Sequence, residues 1–391
     1  MIIKNKFVNK YKNGFPLLIP EALENPSQIP EEGSIIDFTD FSGNFICRGY
    51  IGLQNKGIGW MLTTNNIETV NSEFFNLKFR DAVNFRADFY SNHATNCFRV
   101  FNGEGDGIGG ITVDNFNGFY LINWYNKGIY KFKDEIISAL ESCCKVKGIY
   151  QKKRFESTKN ITEEESFVKG TKAPSPLLVK ENNVNFAIYL EDGAMVGVFL
   201  DQREVRQRIL QSFSAGKTVL NTFSYTGAFS IFAALGNAKS TVSIDLAKRS
   251  LPKTKEHFEI NNIILNTNKI IVEDVFNYFK YARRKNLKYD LVILDPPGFA
   301  QSKKFKFSSA RDYPFLLKEA VTVTENKGII VASTNNSTID IKKFRNLVSK
   351  AFAGDKSKYR ILDEFRLPKD YRTNSQYSEG NYLKVLFIHK I

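Results

Sequence analysis

Histidine and cysteine are scarce in this chain of 391 residues, which has three of the first and four of the second. The cysteines are Cys47, Cys97, Cys143 and Cys144, and no two are spaced as CxxC. A zinc site and a disulfide framework are therefore not expected, and no metal is. His93, His257 and His389 are scattered, and each reads as structural or surface. No cysteine follows Cys144, so the C-terminal half carries no thiol. Long apolar runs are also missing. None approaches the ~18 residues that a bilayer span requires. The opening MIIKNKFVNKYKNG lacks the apolar stretch of a secretory signal. A cytoplasmic protein with no membrane partner is expected. Acidic residues are in the minority, 41 against 55 Lys and Arg, for a net charge of +14. That excess suits a polyanionic partner, because cations bound to phosphates release counterions.

Core material is ample: 42% of the residues are hydrophobic, with 34 Phe and 17 Tyr. At roughly 100–200 residues per domain, two or three domains are expected. Residues 1–75, with GSIIDFTDFSGNFICRGYIGL, read as short strands around turns and suit a small β-barrel. Residues 76–185 are mixed α+β. The Gly-rich FNGEGDGIGGITVDNFNG is followed by YKFKDEIISALESCCKV, whose Ile136, Ile137, Leu140 and Cys144 fall near helical spacing. In 186–391 the pattern alternates. Strand-like KTVLNTF, TVSID, KIIVED, LVILDPP and GIIVAST are separated by helical stretches, and EGNYLKVLFIHK closes the chain as a last strand. Such alternation predicts an α/β, doubly wound, Rossmann-like parallel sheet.

Ligands of such sheets sit beyond the carboxyl ends of the strands. Four ends carry suggestive residues. Asn221 ends the first strand, and Thr222 to Gly227 supply a tight turn into a helix whose backbone N–H groups suit a carboxylate. Asp245 ends the second, where a carboxylate accepts from two ribose hydroxyls or else caps a helix. Glu273 and Asp274 end the third, placed to take an adenine amino group. Asp295, Pro296 and Pro297 end the fourth, with a fixed backbone. A ribose-binding acid fits a dinucleotide or S-adenosylmethionine. The missing GxGxxG disfavours the dinucleotide.

FRVFNGEGDGIGGITVDNFNG, GVFLDQREVR, VLNTFSYTGAFS, VSID and LDPPGFAQSKK resemble, in order, the motifs of the RlmI-like family of large-subunit ribosomal RNA methyltransferases. The likeness spans nearly the whole chain. It implies an N-terminal PUA-like RNA-binding domain at 1–75, a central linking domain at 76–185 and a class I methyltransferase domain at 186–391. It implies S-adenosylmethionine as cofactor and large-subunit rRNA as partner, and leaves a homodimer open. Carried over, Phe199, Asp201, Gln202 and Arg203, with Phe223, Ser224, Tyr225, Thr226 and Gly227, border the methionine part of the cofactor. Asp245 holds the ribose and Asp274 the adenine region. Asp295, Pro296 and Pro297 stand between cofactor and base. The Arg203 fork also suits a carboxylate on physical grounds.

Several members of the family make 5-methylcytosine, which requires a thiolate adding to carbon 6. Here DPPGF has no cysteine, and VASTNNST places Thr334 and Asn335 where cytosine-5 members have a Ser-Cys-Ser-like segment. The covalent route would need Cys97 or another distant cysteine. The guanine-N7 half of the RlmKL methyltransferase has a similar FLD, NLFSYTG, DPP and SNN arrangement. A ring nitrogen with a lone pair needs alignment and a grip on the base edge. Asn335 and Asn336 are candidates for that grip, or else form a turn. Phe299 is a candidate to stack on the base, or a core residue. Lys303, Lys304 and Arg311 are candidates for RNA phosphates, with Tyr313 on the same face. The expected product is 7-methylguanine. The alternatives are 5-methylcytosine, a non-catalytic ribosome-assembly factor and a small-molecule methyltransferase.

Overall fold

The computed structural model describes the chain except residues 55, 157–165, 194, 302–305 and 354–357. For 299–301, 306–307 and 309–310 only the backbone is described. The chain packs as two compact units. One comprises residues 1–180, 188–196 and 369–380, the other 181–187, 197–368 and 381–391.

The first unit opens with a helix not expected from its polar sequence, α1 (Asn5–Lys12). Its Phe7, Val8 and Tyr11 lie on one face, packed on a cluster with Phe38, Ile46 and Ile51. A four-stranded antiparallel sheet follows, β1 (Leu17–Leu18), β2 (Ile35–Thr39), β3 (Phe45–Gln54) and β4 (Gly57–Thr63), in the order β1-β4-β3-β2. Helix α2 (Ser72–Phe85) is capped by Asn71, whose side chain accepts from Phe74 N, and it buries Phe74, Phe75, Phe79 and Ala82. The short α3 (Ala87–Tyr90) leads to a five-stranded sheet. Its strands are β5 (Cys97–Asn102), β6 (Ile111–Phe116), β7 (Phe119–Trp124), β8 (Gly148–Lys153) and β9 (Phe167–Gly170), with α4 (Lys127–Tyr130) and α5 (Lys133–Cys143) between β7 and β8. Helix α5 buries Ile136, Ala139 and Leu140, as the helical spacing predicts. A hairpin, β10 (Leu177–Glu181) and β11 (Val184–Ile188), contributes residues to both units.

The second unit is the doubly wound sheet. Its elements are α6 (Arg203–Ser212), β12 (Thr218–Thr222), α7 (Ala228–Leu235), β13 (Ser240–Asp245), α8 (Ser250–Glu259), β14 (Asn268–Val272), α9 (Val275–Arg284) and β15 (Tyr289–Leu294). A small hairpin, β16 (Phe299–Gln301) and β17 (Lys306–Ser308), precedes α10 (Ser309–Val323), β18 (Thr324–Thr334), α11 (Ile341–Phe352), β19 (Tyr359–Phe365) and β20 (Lys384–Lys390). The strand order is β14-β13-β12-β15-β18-β20-β19, with β20 antiparallel to both neighbours. Along β15 the pleat sends Val292 and Leu294 into a core under α9, α10 and α11. Leu291 and Ile293 enter the opposite core with α6 and α7. Burial on both faces makes β15 continuously apolar from Leu291 to Leu294. The order reverses at β12 and β15, and Asp245, which ends β13, and Asp295, which follows β15, stand on either side of that switch point.

Candidate active site

The turn after β12 is strained and pinned. Phe223, Tyr225 and Gly227 have φ of 54°, 50° and 77°. For bulky residues this left-handed region costs about 1–3 kcal/mol, and it persists only where neighbours enforce it. Ser224 N donates to Ile244 O at 2.9 Å and Gly227 N to Ser224 O at 2.7 Å. Tyr225 N donates to Asp245 Oδ2 at 2.8 Å. Thr226 Oγ1 donates to Gly197 O at 2.7 Å. A Cβ on Gly227 would lie 2.4 Å from Thr254 Cγ2, so only glycine fits.

His257, which reads as structural or surface in the sequence, is fully buried and braces this turn. Its Nε2 accepts from Ala187 N at 3.0 Å, which leaves Nδ1 to donate to Thr226 O at 3.0 Å. Burial lowers its pKa and keeps that tautomer neutral.

Two of the four strand-end acids are held by backbone N–H groups. Asp245 accepts from Tyr225 N and Ala247 N, each at 2.8 Å. Burial raises its pKa despite these bonds. Asp274 caps α9, its Oδ1 accepting from Phe276 N at 3.0 Å and Asn277 N at 3.2 Å. The neighbouring Glu273 is exposed.

Asp295 is held by side chains. Gln202 Nε2 donates to Asp295 Oδ1 at 3.0 Å and to Ser333 Oγ at 2.8 Å, and the Ser333 hydroxyl also bonds Asp295. Desolvation pushes the Asp295 pKa up to about 6, with repulsion from Asp201 adding to it. Asp201 accepts from Tyr382 Oη at 2.9 Å. Two neighbouring carboxylates make a place where a cation is favoured. Ser333 is itself held, its carbonyl accepting from the buried Tyr313 hydroxyl at 2.8 Å. Tyr313 thus lies inside the core and not on an RNA-facing surface, because its ring packs on Phe344.

The FLDQR segment forms a short 3₁₀ turn, Leu200–Gln202, and the start of α6. Phe199 is 45% exposed, its ring 5.4 Å from that of Tyr225. Arg203 is buried, with Nε 3.6 Å from Glu204. The residue that anchors this helix is one the motif reading passes over. Arg206 Nε and one Nη bond the two oxygens of buried Glu181, each at 2.7 Å, and Arg206 also donates to Phe199 O at 2.8 Å. Its spacing of three from Arg203 puts it on the same helix face, the one signal available.

Beyond β18, Asn335 is exposed. Its Oδ1 would lie 3.6 Å from a Cβ built on Gly298, which places it beside the residue following Pro296 and Pro297. Asn336 has a different position. Its Oδ1 accepts from Thr338 N at 2.9 Å and Thr338 Oγ1 at 2.8 Å, which closes an Asx turn. Its carbonyl accepts from Lys384 Nζ at 2.8 Å. Burial lowers the Lys384 pKa to about 8. Arg311 is exposed and paired with Asp312 at 2.8 Å. Lys303 and Lys304 lie outside the described residues, as does the side chain of Phe299.

Among the described residues, Gln202 Oε1, Asn221 Oδ1 and Ser224 Oγ are buried near these strand ends without a hydrogen-bond partner. Leaving such an atom unpaired costs about 1–3 kcal/mol, so each marks a place for a polar ligand or a water. Asn221 lies deeper than the others. It is wholly buried, and its Nδ2 donates to Ser230 Oγ of α7 at 3.0 Å. The glycine-only turn, the unpaired oxygens and the paired carboxylates fit a zwitterionic amino-acid group carrying a sulfonium. The sheet order and these strand ends define a class I S-adenosylmethionine-dependent methyltransferase.

The relatives agree. A family model described as S-adenosylmethionine-dependent methyltransferase matches residues 169–354, and one for a PUA-like domain matches residues 1–64. The chain is 49% identical over 392 residues to YwbD of Bacillus subtilis (strain 168), covering 100% of this chain and 99% of YwbD. YwbD is provisionally named a ribosomal RNA large subunit methyltransferase. Ribosomal RNA large subunit methyltransferase I of Yersinia pseudotuberculosis serotype O:1b (strain IP 31758) is 27% identical over 354 residues, 90% of this chain and 89% of that protein. The crystal structure of SMU.776 complexed with SAH has a TM-score of 0.92 at 36% identity, covering 100% of this chain and 99% of that one. The chain belongs to the RlmI-like family of methyltransferases, and S-adenosylmethionine is its cofactor. Among the described residues no helix is long and apolar enough to cross a membrane.

Proposed function

We propose that this enzyme methylates a guanine at N7 in large-subunit ribosomal RNA, by direct transfer without a covalent enzyme–base bond. The observation that carries the reading is the composition of the strand-end cluster. It offers carboxylates, amides and hydroxyls, and the whole second unit has no cysteine. The names of the relatives support the substrate class.

Bound S-adenosylmethionine supplies an electrophilic methyl carbon on a cationic sulfur. Phe199, Asp201, Gln202 and Arg203, with the Phe223–Gly227 turn, hold its methionine part. Asp245 takes the ribose and Asp274 the adenine side. Asn221, buried beneath α7, supports the turn from below. Asp295, fixed by Gln202 and Ser333, faces the positive charge. A guanine N7 has a lone pair and no proton to lose, so no residue has to act as a base. The charge stays on the methylated base, and an ionised Asp295 balances it. Pro296 and Pro297 hold the backbone beside the base. Asn335 grips the base edge, Asn336 shapes the turn that presents it, and Phe299 stacks on the ring. Lys303, Lys304 and Arg311 serve RNA phosphates. The three-part division at 75 and 185 assigns the first part to RNA binding and the second to linking it to the catalytic part.

The test is nucleoside mass spectrometry of large-subunit rRNA from cells with and without the protein. Loss of one 7-methylguanine is expected. Loss of a 5-methylcytosine instead would reject the N7 assignment.

A further inference from the structure

The helix layer over one face of the catalytic sheet is unevenly charged. Helices α9, α10 and α11 together carry nine basic residues and two acidic ones. Both acids are already engaged, Glu319 with Arg283 at 2.9 Å and Asp312 with Arg311 at 2.8 Å. Lys280 and Arg284 on α9 and Lys318 on α10 are exposed, and none makes an ion pair among the described residues. Amid these cations stands an aromatic step. Phe315 of α10 is 49% exposed, and its ring is stacked on Phe276 of α9, with centroids 5.6 Å apart and planes 15° from parallel. Arg311, Phe315 and Lys318 are spaced i, i+4, i+7 and so form one stripe along the helix.

The topology places this stripe. Helix α9 begins at its cap Asp274, directly after β14, and Phe276 is its second residue. Helix α10 precedes the parallel strand β18, so its first turns also lie at the carboxyl edge of the sheet. The stripe therefore starts at the edge that carries Asp245 and Asp295.

We propose that this stripe seats the unpaired RNA strand that flanks the target nucleotide. Phe315 stacks on one of its bases, and Lys280, Arg284 and Lys318 lie along its phosphates. Rings stack on any base, and lysines and arginines release counterions from phosphates, so the combination suits single-stranded nucleic acid. The site rests on the reading of RNA as the substrate.

The experiment measures methyl transfer by the full-length enzyme to large-subunit rRNA taken from a strain lacking it. Phe315→Ala is expected to raise KM for the rRNA about tenfold, at the scale of one lost stacking contact. Its kcat and its calorimetric affinity for S-adenosylmethionine stay as in the wild type, and Phe315→Tyr restores KM. Lys280→Ala combined with Lys318→Ala is expected to flatten the salt dependence of kcat/KM, by a log–log slope of about 1.4. An unchanged KM in Phe315→Ala overturns the site and leaves RNA as the substrate. A wild-type enzyme that binds S-adenosylmethionine but transfers nothing to the rRNA overturns the underlying reading, and the site with it.

Discussion

Two buried polar networks, one in each unit, are completed differently. In the first, the side chains of Arg86 and Asp106 are fully buried, and each guanidinium nitrogen has an acceptor. The guanidinium donates to both oxygens of Asp106 at 3.0 and 2.7 Å, to Asp370 O at 2.8 Å and to Ala82 O at 2.9 Å. Asp106 also accepts from Asn102 N at 2.6 Å. That network is closed. In the second unit the network of Gln202, Asp295 and Ser333 is open: Gln202 Oε1 is buried without a partner among the described residues, and the Asp295 pKa is raised to about 6. A closed polar network serves the fold, and an open one keeps capacity for a ligand. Cutting each network separates these roles.

The largest effect is expected from the closed one. Arg86→Met removes the bidentate partner of the buried Asp106 and leaves Arg372 Nη1, 3.7 Å from Asp106 Oδ1, as its nearest cation, which costs on the order of 3 kcal/mol. Thermal unfolding should show a steep loss of stability, while the folded fraction still binds S-adenosylmethionine. A variant as stable as the wild type would mean that the pair is not what holds this region.

Asp295→Asn tests the open network in the opposite sense. Methyl transfer should fall about 10²–10³-fold, as when a group facing transition-state charge is removed. Stability should rise. A carboxyl whose folded pKa lies above its ordinary 3.8 favours folding below that value and disfavours it as pH climbs through 6. The variant and the wild type should therefore melt alike near pH 4. Above pH 6 the variant should melt higher, by on the order of 1–3 kcal/mol. Equal melting temperatures from pH 4 to 8 would show that Asp295 is not held at such a cost.

Gln202→Leu should have a smaller effect. Its Nε2 bonds to Asp295 and Ser333 are lost, and the carboxyl loses a donor that lowers its pKa. The acid limb of the kcat–pH profile should shift upward, with about a tenfold loss near pH 5 and about a twofold loss at pH 7. An unmoved limb would remove Gln202 from the positioning of Asp295.

The two kinds of network were not equally readable in the chain. The strand ends Asp245, Asp274 and Asp295 close short strand-like runs separated by helical stretches, so local pattern locates them. The FLDQR segment and the turn after β12 are short and contiguous, and they survive as motifs. Ser333, Tyr382, Lys384 and His257 do not, because each acts through a partner far along the chain. Tyr382 reaches Asp201 across 181 positions and Gln202 reaches Ser333 across 131. Nothing in local periodicity encodes such pairings. Asn336 shows the reverse limit. Its side chain could serve a ligand or its own turn, and only the fold shows its oxygen on Thr338. Helix α1 was hidden for a further reason: eight residues, mostly polar, expose only a narrow apolar face.

The smallest expected effect is the most informative about chemistry. Methylation at cytosine carbon 5 would require a thiolate, and all four thiols lie in the first unit. Cys97 is fully buried, and its Sγ donates to Lys180 O at 3.2 Å. Burial pushes the Cys47 thiol up to about 12 and raises that of Cys144. Each of these settings suppresses the anion that would attack. A chain with Cys47, Cys97, Cys143 and Cys144 all replaced by alanine should lose some stability through its two buried sites. At a temperature where it is folded, its kcat should stay within about twofold of the wild type. RNA containing 5-fluorocytosine should form no adduct with the wild-type enzyme that survives denaturation. If the substituted chain is inactive while still binding S-adenosylmethionine, a thiol takes part and direct transfer to N7 is wrong.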